Sequence, residues 1–471
     1  MVTLRGEQAA APAADLPPEP DGAARRFDAV SLLTIYIVLL MLIPYSVVFP
    51  PLGGAGGLST MYAGILMFLF LALWLHQGFH IDRGSQPVRV AGIAFTCAVI
   101  AAYVSANRHL MPSLERNGAD RGLIFAAGWL AVLLLAADGI DRPDRLNTML
   151  GRIVTGIAAM AAIGIAEFLT GLDFAQYIVI PGFVSQAIVT DTGVDTRLGF
   201  NRPAATAAHP LELATVLAIG LPIALHRARF APEGLRVRRW AQVGVIAACL
   251  PLTISRAAIL GLGVVFLLIL PTWPKTHRRY AYGALGAAVL GVFVLVPGML
   301  GTFLSLFGGS SAATSTASRT SAYGSAAAYV AQHPWLGRGF GTFLPATYFF
   351  TDNQYLLSLI ETGVIGLLAL IALFATGVLV GRSAYRAAVH PQARDLAQSL
   401  VAAVAAAGLA FATFDALSFS IAAGLSFLII GCVGALWRMT RSGELEAALG
   451  DPGGGGAVPA VAAGQPGPSQ A

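Results

Sequence analysis

Residues 333–368 read HPWLGRGFGTFLPATYFFTDNQYLLSLIETGVIGLL. A glycine-punctuated polar loop passes through Asp352 and Asn353 directly into an apolar run that begins near Tyr355. A long apolar run with few charges reads as a membrane-spanning helix. Polar and charged residues at the mouth of such a helix mark a functional site. The charges elsewhere in the chain decide which side of the membrane this mouth faces.

The chain has 471 residues, of which 56% are hydrophobic and 11% charged, with a mean hydropathy of +0.72. A soluble domain carries about a quarter charged residues, so the composition indicates a polytopic membrane protein. The net charge of +5 does not point to nucleic acid, because the basic residues sit in short loops between apolar runs. Cys97, Cys249 and Cys432 all fall inside apolar segments and read as small packing residues, with no disulfide framework implied.

The expected fold class is all-α: an integral membrane protein with about twelve transmembrane helices and one large extracytoplasmic loop between spans 9 and 10. The spans are expected near 31–49, 60–76, 88–103, 122–137, 149–169, 209–225, 240–253, 257–271, 281–299, 355–380, 397–415 and 420–437. Around Pro251–Arg256 the pattern fits either two short spans or one broken one. Residues 1–27 are expected to be a disordered cytoplasmic segment, 28–440 the helical domain, and 441–471 a disordered tail. Arg25 and Arg26 precede the first apolar run, which reads as an uncleaved signal anchor rather than a cleavable signal peptide.

With the N-terminus inside, the alternating loops place most of the 29 basic residues on the cytoplasmic side. Both termini then come out cytoplasmic. The outer side holds Arg108, Arg116, Arg121, Arg197, Arg202, Arg256, Arg319 and Arg338. Arg108, Arg116 and Arg121 lie among Glu115 and Asp120 and read as a solvated ion-pair loop. The outer loops run about 170–208 and 300–354, and a helix-compatible stretch, Tyr323–Ala331, lies in the second.

Outer-face chemistry must use a donor that crosses the membrane already activated. A polyprenyl diphosphate-linked glycan fits, and its leaving diphosphate needs cations as the sugar–oxygen bond breaks. Guanidinium groups hold phosphate oxygens in pairs and stay charged. Metal ligation is poorly provided for: residues 50–60 carry no carboxylate, and Asp191 with Asp195 form only a weak DxxxD pattern. Gly337–Gly341 lacks the strand-before, helix-after context of a nucleotide loop. No cofactor is implied.

Four blocks, taken in order, resemble the O-antigen ligase/polymerase-like family of membrane glycosyltransferases. They are Arg197–Gly199 with His209-Pro210 and Glu212-Leu213; Thr253-Ile-Ser-Arg256; His333-Pro334 with Gly337, Gly339, Gly341 and Phe343; and Asp352-Asn353 followed by Gly363 and Gly366. The likeness covers about residues 197–380. It implies metal-independent, inverting glycosyl transfer from an undecaprenyl-type diphosphate at the outer face of a bacterial inner or plasma membrane. The implied partners are a lipid-linked glycan donor, a glycan acceptor, the bilayer and other polysaccharide-assembly membrane proteins. By this analogy Arg256, then Arg197, then Arg319 hold the diphosphate.

The sequence departs from the ligase pattern at Asp352, where ligases place the histidine proposed to activate the acceptor hydroxyl. A carboxylate accepts a proton but is a weaker base than imidazole unless burial raises it. The change tilts the reading from lipid A-core ligase toward polysaccharide polymerase, or transfer onto another acceptor. Asp352, Arg256 and Arg197 are thus the catalytic candidates. Arg319, Arg338, His209, Glu361, Asn353 and His333 are the substrate-binding ones. Simpler roles compete for several of them: a helix cap for Asp352 and Asn353, a helix start for His209, and a loop turn for His333. Glu361, deep in its apolar run, requires a partner, expected to be an outer arginine. Glu167 and Asp415, at outer span ends, are lesser candidates, and Gly363 and Gly366 are expected to permit close helix packing. The competing function is a non-enzymatic flippase or transporter of lipid-linked glycan. It predicts mid-membrane charges and an internal repeat, and neither is evident.

Overall fold

The computed structural model describes residues 28–76, 84–108, 110–185, 194–197, 199–295 and 323–450. Helices dominate in the order α1 (Ala29–Leu42), α2 (Leu58–His76), α3 (Pro87–Ala106), α4 (Ser113–Gly139), α5 (Pro143–Thr170), α6 (Pro210–Arg229), α7 (Glu233–Leu252), α8 (Arg256–Ile269) and α9 (Lys275–Leu295). Then come α10 (323–332), α11 (Gln354–Ala387), α12 (Pro391–Ala410), α13 (Ser420–Ser442) and the short α14 (Glu444–Gly450). Two small antiparallel ladders complete the set. The first pairs β1 (Val47–Val48) with β2 (Val184–Ser185), and the second pairs β3 (Asp195–Arg197) with β4 (Phe200–Arg202).

Seven of the described helices are long and apolar enough to cross a membrane: α2 to α6, α11 and α13. The protein therefore has a polytopic, helical membrane architecture. Proline opens α3, α5, α6 and α12, where its missing N–H has no partner to lose. Gly171 and Gly443 stop α5 and α13 in the left-handed conformation.

Helix α13 lies at the centre, with 89% of its apolar window buried, and α6 is close behind at 83%; α2, at 17%, faces outward. On α13, Phe427 stacks on Trp129 of α4 at 5.3 Å and tilts against Phe95 of α3 at 5.8 Å. Gly431 lets α13 approach α4 closely, since a Cβ there would stand 2.6 Å from the Leu133 carbonyl oxygen.

Three elements differ from the sequence reading. The first span, expected to reach residue 49, ends at Leu42. Pro44 stops the helix, and Val47 and Val48 leave to pair with β2. Helix α4 begins at Ser113, so Arg116 and Arg121 lie on a helix and not in a loop. The expected disordered tail from 441 begins with the end of α13 and then α14. There Leu445 is buried, and Glu446 accepts the backbone N–H groups of Val389 and His390.

The decisive irregularity is in α11. Gly363 has φ 64° and ψ −167°, which interrupts the helix. The freed groups find partners in the preceding loop. Val364 and Ile365 donate to the carbonyls of Pro334 and Trp335 at 2.9 and 3.3 Å, and Arg338 and Gly339 donate to those of Ile360 and Glu361 at 3.1 and 2.8 Å. The loop lies so close that a Cβ on Gly363 would stand 2.3 Å from the Trp335 carbonyl carbon. Gly363 thus admits a loop rather than a neighbouring helix, and Gly366 faces Thr362 of its own helix.

Gly363→Ala is expected to destabilise the protein by about 2–4 kcal/mol, from positive φ and backbone collision together. Gly263→Ala, with open space around its Cβ position, should be neutral or stabilising by up to about 1 kcal/mol. Thermal unfolding of both variants in detergent checks the pair.

Candidate active site

The β3–β4 hairpin reaches across the break between α7 and α8. Its register sets Asp195 opposite Arg202 and Arg197 opposite Phe200. Arg202 is buried; it donates to the Thr253 carbonyl at 3.2 Å and to Asp195 at 2.8 Å. Arg197 reaches the Ile254 carbonyl at 3.5 Å. Burial lowers the pKa of Arg202, Asp195 raises it and Arg197 lowers it again. Between the helices, Ile254 takes a φ of 44°, which is rare for a β-branched residue. Ser255 is fully buried, and among the described residues its hydroxyl has no hydrogen-bond partner. Arg256 is the first residue of α8, where the positive end of the helix dipole favours an anion. Two guanidinium groups thus dock on the buried carbonyls of Thr253 and Ile254, just before the start of α8.

At the mouth of α11, Asp352 also has a positive φ, 48°. Asp415, from the loop before α13, holds the turn. It accepts the hydroxyl of Thr351, the backbone N–H of Asn353 at 3.1 Å and a backbone bond from Asp352. Burial raises the pKa of Asp415, and these bonds oppose the rise. Asn353 caps α11 through the N–H groups of Tyr355 and Leu356, and its amide reaches the Tyr323 hydroxyl at 3.4 Å. The Asp352 carboxylate is half-buried and, among the described residues, accepts no hydrogen bond from the protein.

His209 joins the two regions. Its Nδ1 accepts the Leu211 N–H at 3.1 Å and caps α6. A neutral ring bound this way carries its proton on Nε2, which is then a donor. Burial lowers the His209 pKa and Arg202 lowers it further, while Asp195 and Asp352 raise it and Arg197 lowers it. The charges of Arg197, Arg202, Asp195 and Asp352 therefore all act on one imidazole.

The remaining candidates are tied into the scaffold. Glu361 is 3% exposed; its hydrogen-bond partners are backbone amides, and the outer arginine Arg121 acts on it only through its charge. Its carboxylate accepts the backbone N–H of Phe343 at 3.1 Å and a backbone bond from Gly341. Arg338 does not face an open site: it pairs with Glu115 of α4 at 3.4 Å, donates to the Tyr348 hydroxyl at 2.6 Å and lies over the Tyr329 and Tyr348 rings. Glu115 is thereby taken from the ion-pair loop expected around it. The His333 carbonyl accepts the N–H of Gly337 and so shapes the loop. Arg319 and Asp191 lie outside the described residues.

Beside this mouth is a cavity of about 270 Å³, whose polar lining includes Arg121, Gln354, Glu361, Ser418, Ser59 and Tyr45. Arg121 was not singled out in the sequence, because its neighbours Glu115 and Asp120 suggested local pairing. Asp120 instead accepts the Tyr103 hydroxyl. Among the described residues no group of three or more His, Cys, Asp or Glu is placed to hold a metal ion.

Residues 242–371 match the family model described as O-antigen ligase. The match covers 130 of the 471 residues. No curated protein matches the chain significantly. The matched segment contains the Thr253–Arg256 turn, the glycine loop and the Asp352–Gly366 helix mouth, while Arg197, Arg202 and His209 are brought to it from outside. The domain and the polytopic helical architecture together support an extracytoplasmic glycan-transfer activity in polysaccharide assembly.

Protonation of His209 has a definite sign. Because the folded pKa is lowered from 6.5, the unfolded chain binds more protons just below that pH, and stability falls as pH drops through about 6.5. His209→Gln should flatten that part of the profile. Melting temperatures across this range, for wild type and variant, provide the check.

Proposed function

We propose that the protein transfers a glycan from a polyprenyl diphosphate to a sugar hydroxyl at the outer face of a bacterial inner membrane. The observation that carries this reading is the docking of Arg197 and Arg202 on the backbone of the α7–α8 break, where Arg256 opens α8, with the charges of both arginines and of Asp352 acting on His209. In this reading the acceptor oxygen attacks the anomeric carbon opposite the diphosphate. The bond from that carbon to the phosphate oxygen breaks, and its electron pair stays on the diphosphate. The acceptor proton passes to the Asp352 carboxylate, and the anomeric configuration inverts. Arg256 and Arg197 hold the departing charge. His209 donates through Nε2 and orients substrate oxygens.

Two cavities support the same assignment. The polar one beside Arg121 has room and hydrogen-bonding groups for a saccharide. An apolar one of about 450 Å³, lined by Leu221, Trp240, Leu250, Leu262, Phe266 and Leu285 with Arg229 and His277 among the others, runs from Leu250, near the arginine turn, toward the end of α6 and the starts of α7 and α9. Part of an isoprenoid tail fits there. The charge distribution supports twelve spans with both termini cytoplasmic and the catalytic loop outside. Asp352 favours a polymerase over a ligase, with a lipid-linked glycan as donor and a growing glycan as acceptor.

Arg256→Ala and Asp352→Ala should each abolish glycan product at normal protein level. Purified wild-type protein given lipid-linked glycan and acceptor should release free lipid diphosphate. Persistent product in both variants would refute the assignment, and glycan movement without release would indicate a flippase. Asp415→Ala, which frees the Asp352 turn, should lower kcat by about 10²-fold with KM little changed, the loss expected from misplacing a reacting group by about 1 Å. Steady-state kinetics separate this from a simple loss of binding.

A further inference from the structure

On the face opposite the Asp352 mouth lies a second charged cavity, of about 540 Å³. It opens between the second half of α1, the first halves of α5 and α7 and the end of α6. Four arginines line it: Arg152, Arg227, Arg238 and Arg239. No carboxylate lines it. Glu233 and Asp144 stand in the first turns of α7 and α5, yet neither borders the cavity. Among the described residues none of the four arginines forms an ion pair.

Three of the arginines are nonetheless held by neutral acceptors, and Arg238 is exposed beside them. Arg227 donates to the carbonyl and side-chain oxygens of Asn147 and packs so closely on Gly151 that a Cβ there would lie 2.6 Å from its guanidinium. Arg239 donates to the Arg227 carbonyl at 3.0 Å, and Arg152 binds Thr34. Across the cavity Gln242 donates to Thr155 at 3.0 Å. Like charges are thus preorganised side by side without a counter-charge, an arrangement complementary to an anion.

The other part of the lining is apolar and open to the outside of the bundle. Val38, Leu42 and Leu235 are 45%, 39% and 41% exposed, and Trp240, a residue type favoured at membrane interfaces, is on the same helix as Arg238 and Arg239. A water-soluble anion would have no use for this rim. A phosphodiester joined to acyl chains matches both halves, and basic pockets between transmembrane helices on the cytoplasmic side bind such headgroups.

We propose that this cavity binds an anionic phospholipid of the cytoplasmic leaflet. The phosphodiester meets Arg227, Arg239, Arg152 and Arg238, and the acyl chains follow Val38, Leu42 and Leu235. The site is separate from the catalytic one and stands or falls independently of it.

The test is native mass spectrometry of the full-length protein in detergent, with added phosphatidylglycerol, cardiolipin or phosphatidylcholine, and with inorganic phosphate and glycerol phosphate as competitors. Wild type should retain the anionic lipids and not phosphatidylcholine. Arg227→Gln/Arg239→Gln should weaken retention by about tenfold or more, as loss of charge-assisted bonds predicts. Arg238→Gln, an exposed position that leaves the fold intact, should weaken it several-fold. Arg279→Gln, exposed on the same face but outside the cavity, should change nothing. Retention unchanged in both the double variant and Arg238→Gln would overturn the proposal. So would equal retention of phosphatidylcholine, or displacement of the lipid by millimolar phosphate.

Discussion

A helix interrupted inside a bilayer exposes backbone N–H and C=O groups that lipid cannot bind. The break at Gly363 imposes this constraint, and the geometry of the candidate site follows from it. The 334–339 loop supplies two acceptors and two donors to the interrupted helix. To come that close it needs glycine at 337, where φ is +67° and a Cβ would collide with the Glu361 carbonyl. Glu361 then fastens the next turn of the loop through Phe343. Phe343 stacks on Tyr348 at 4.6 Å, and Tyr329 of α10 meets both edge-on. From that cluster only a few residues remain before Asp352, so its position is fixed by packing on one side and by Asp415 on the other.

The same device recurs on this face of the protein. Glu167 accepts the N–H groups of Phe174, Ala204 and Ala205; Glu212 accepts those of Ala208, Ile421 and Ala422. With Glu361 and Asp415, four buried carboxylates each clamp backbone from another part of the chain. Burying an ion is expensive unless it is well hydrogen-bonded, and charge-assisted bonds to several amides offset that cost. A carboxylate can gather two or three N–H groups that no regular element satisfies, which is what irregular loops at a membrane surface require. Asp352 stands apart from these four, since among the described residues its carboxylate accepts no hydrogen bond from the protein.

The sequence carried the local features of this arrangement. The polar loop running into an apolar helix at Asp352, the proline-broken pair at Pro251–Arg256 and the cap at Asn353 are short-range patterns, and each is found where it was read. The partners of Glu361, Arg338 and Asp415 were not legible. Glu115 and Arg338 are 223 residues apart, and nothing in either neighbourhood names the other. By its sequence alone Glu361, an isolated acid in an apolar run, calls for a cation. The fold answers with backbone amides, which have no sequence signature. The end of α1 was missed for a different reason: Val47 and Val48 are as apolar in a strand as in a helix, so hydropathy does not register the change of element.

The arginines at the α7–α8 break divide into two kinds by their bonds. Arg202 is buried, with one short bond to Asp195 and another to the Thr253 carbonyl. Removing it would leave a carbonyl and a carboxylate unmatched, so its work is to hold the turn and lend its charge at a distance. Arg197 makes a single long contact, 3.5 Å, to the Ile254 carbonyl, and little is lost when that contact is exchanged for a phosphate oxygen. Arg256 sits on the first turn of α8, where its charge adds to the helix dipole. In the proposed reaction Arg197 and Arg256 are the cations that meet the leaving diphosphate, over a frame that Arg202 keeps rigid. Such a division matters for catalysis, because cations already fixed before the bond breaks need no reorganisation when charge develops on the leaving oxygen.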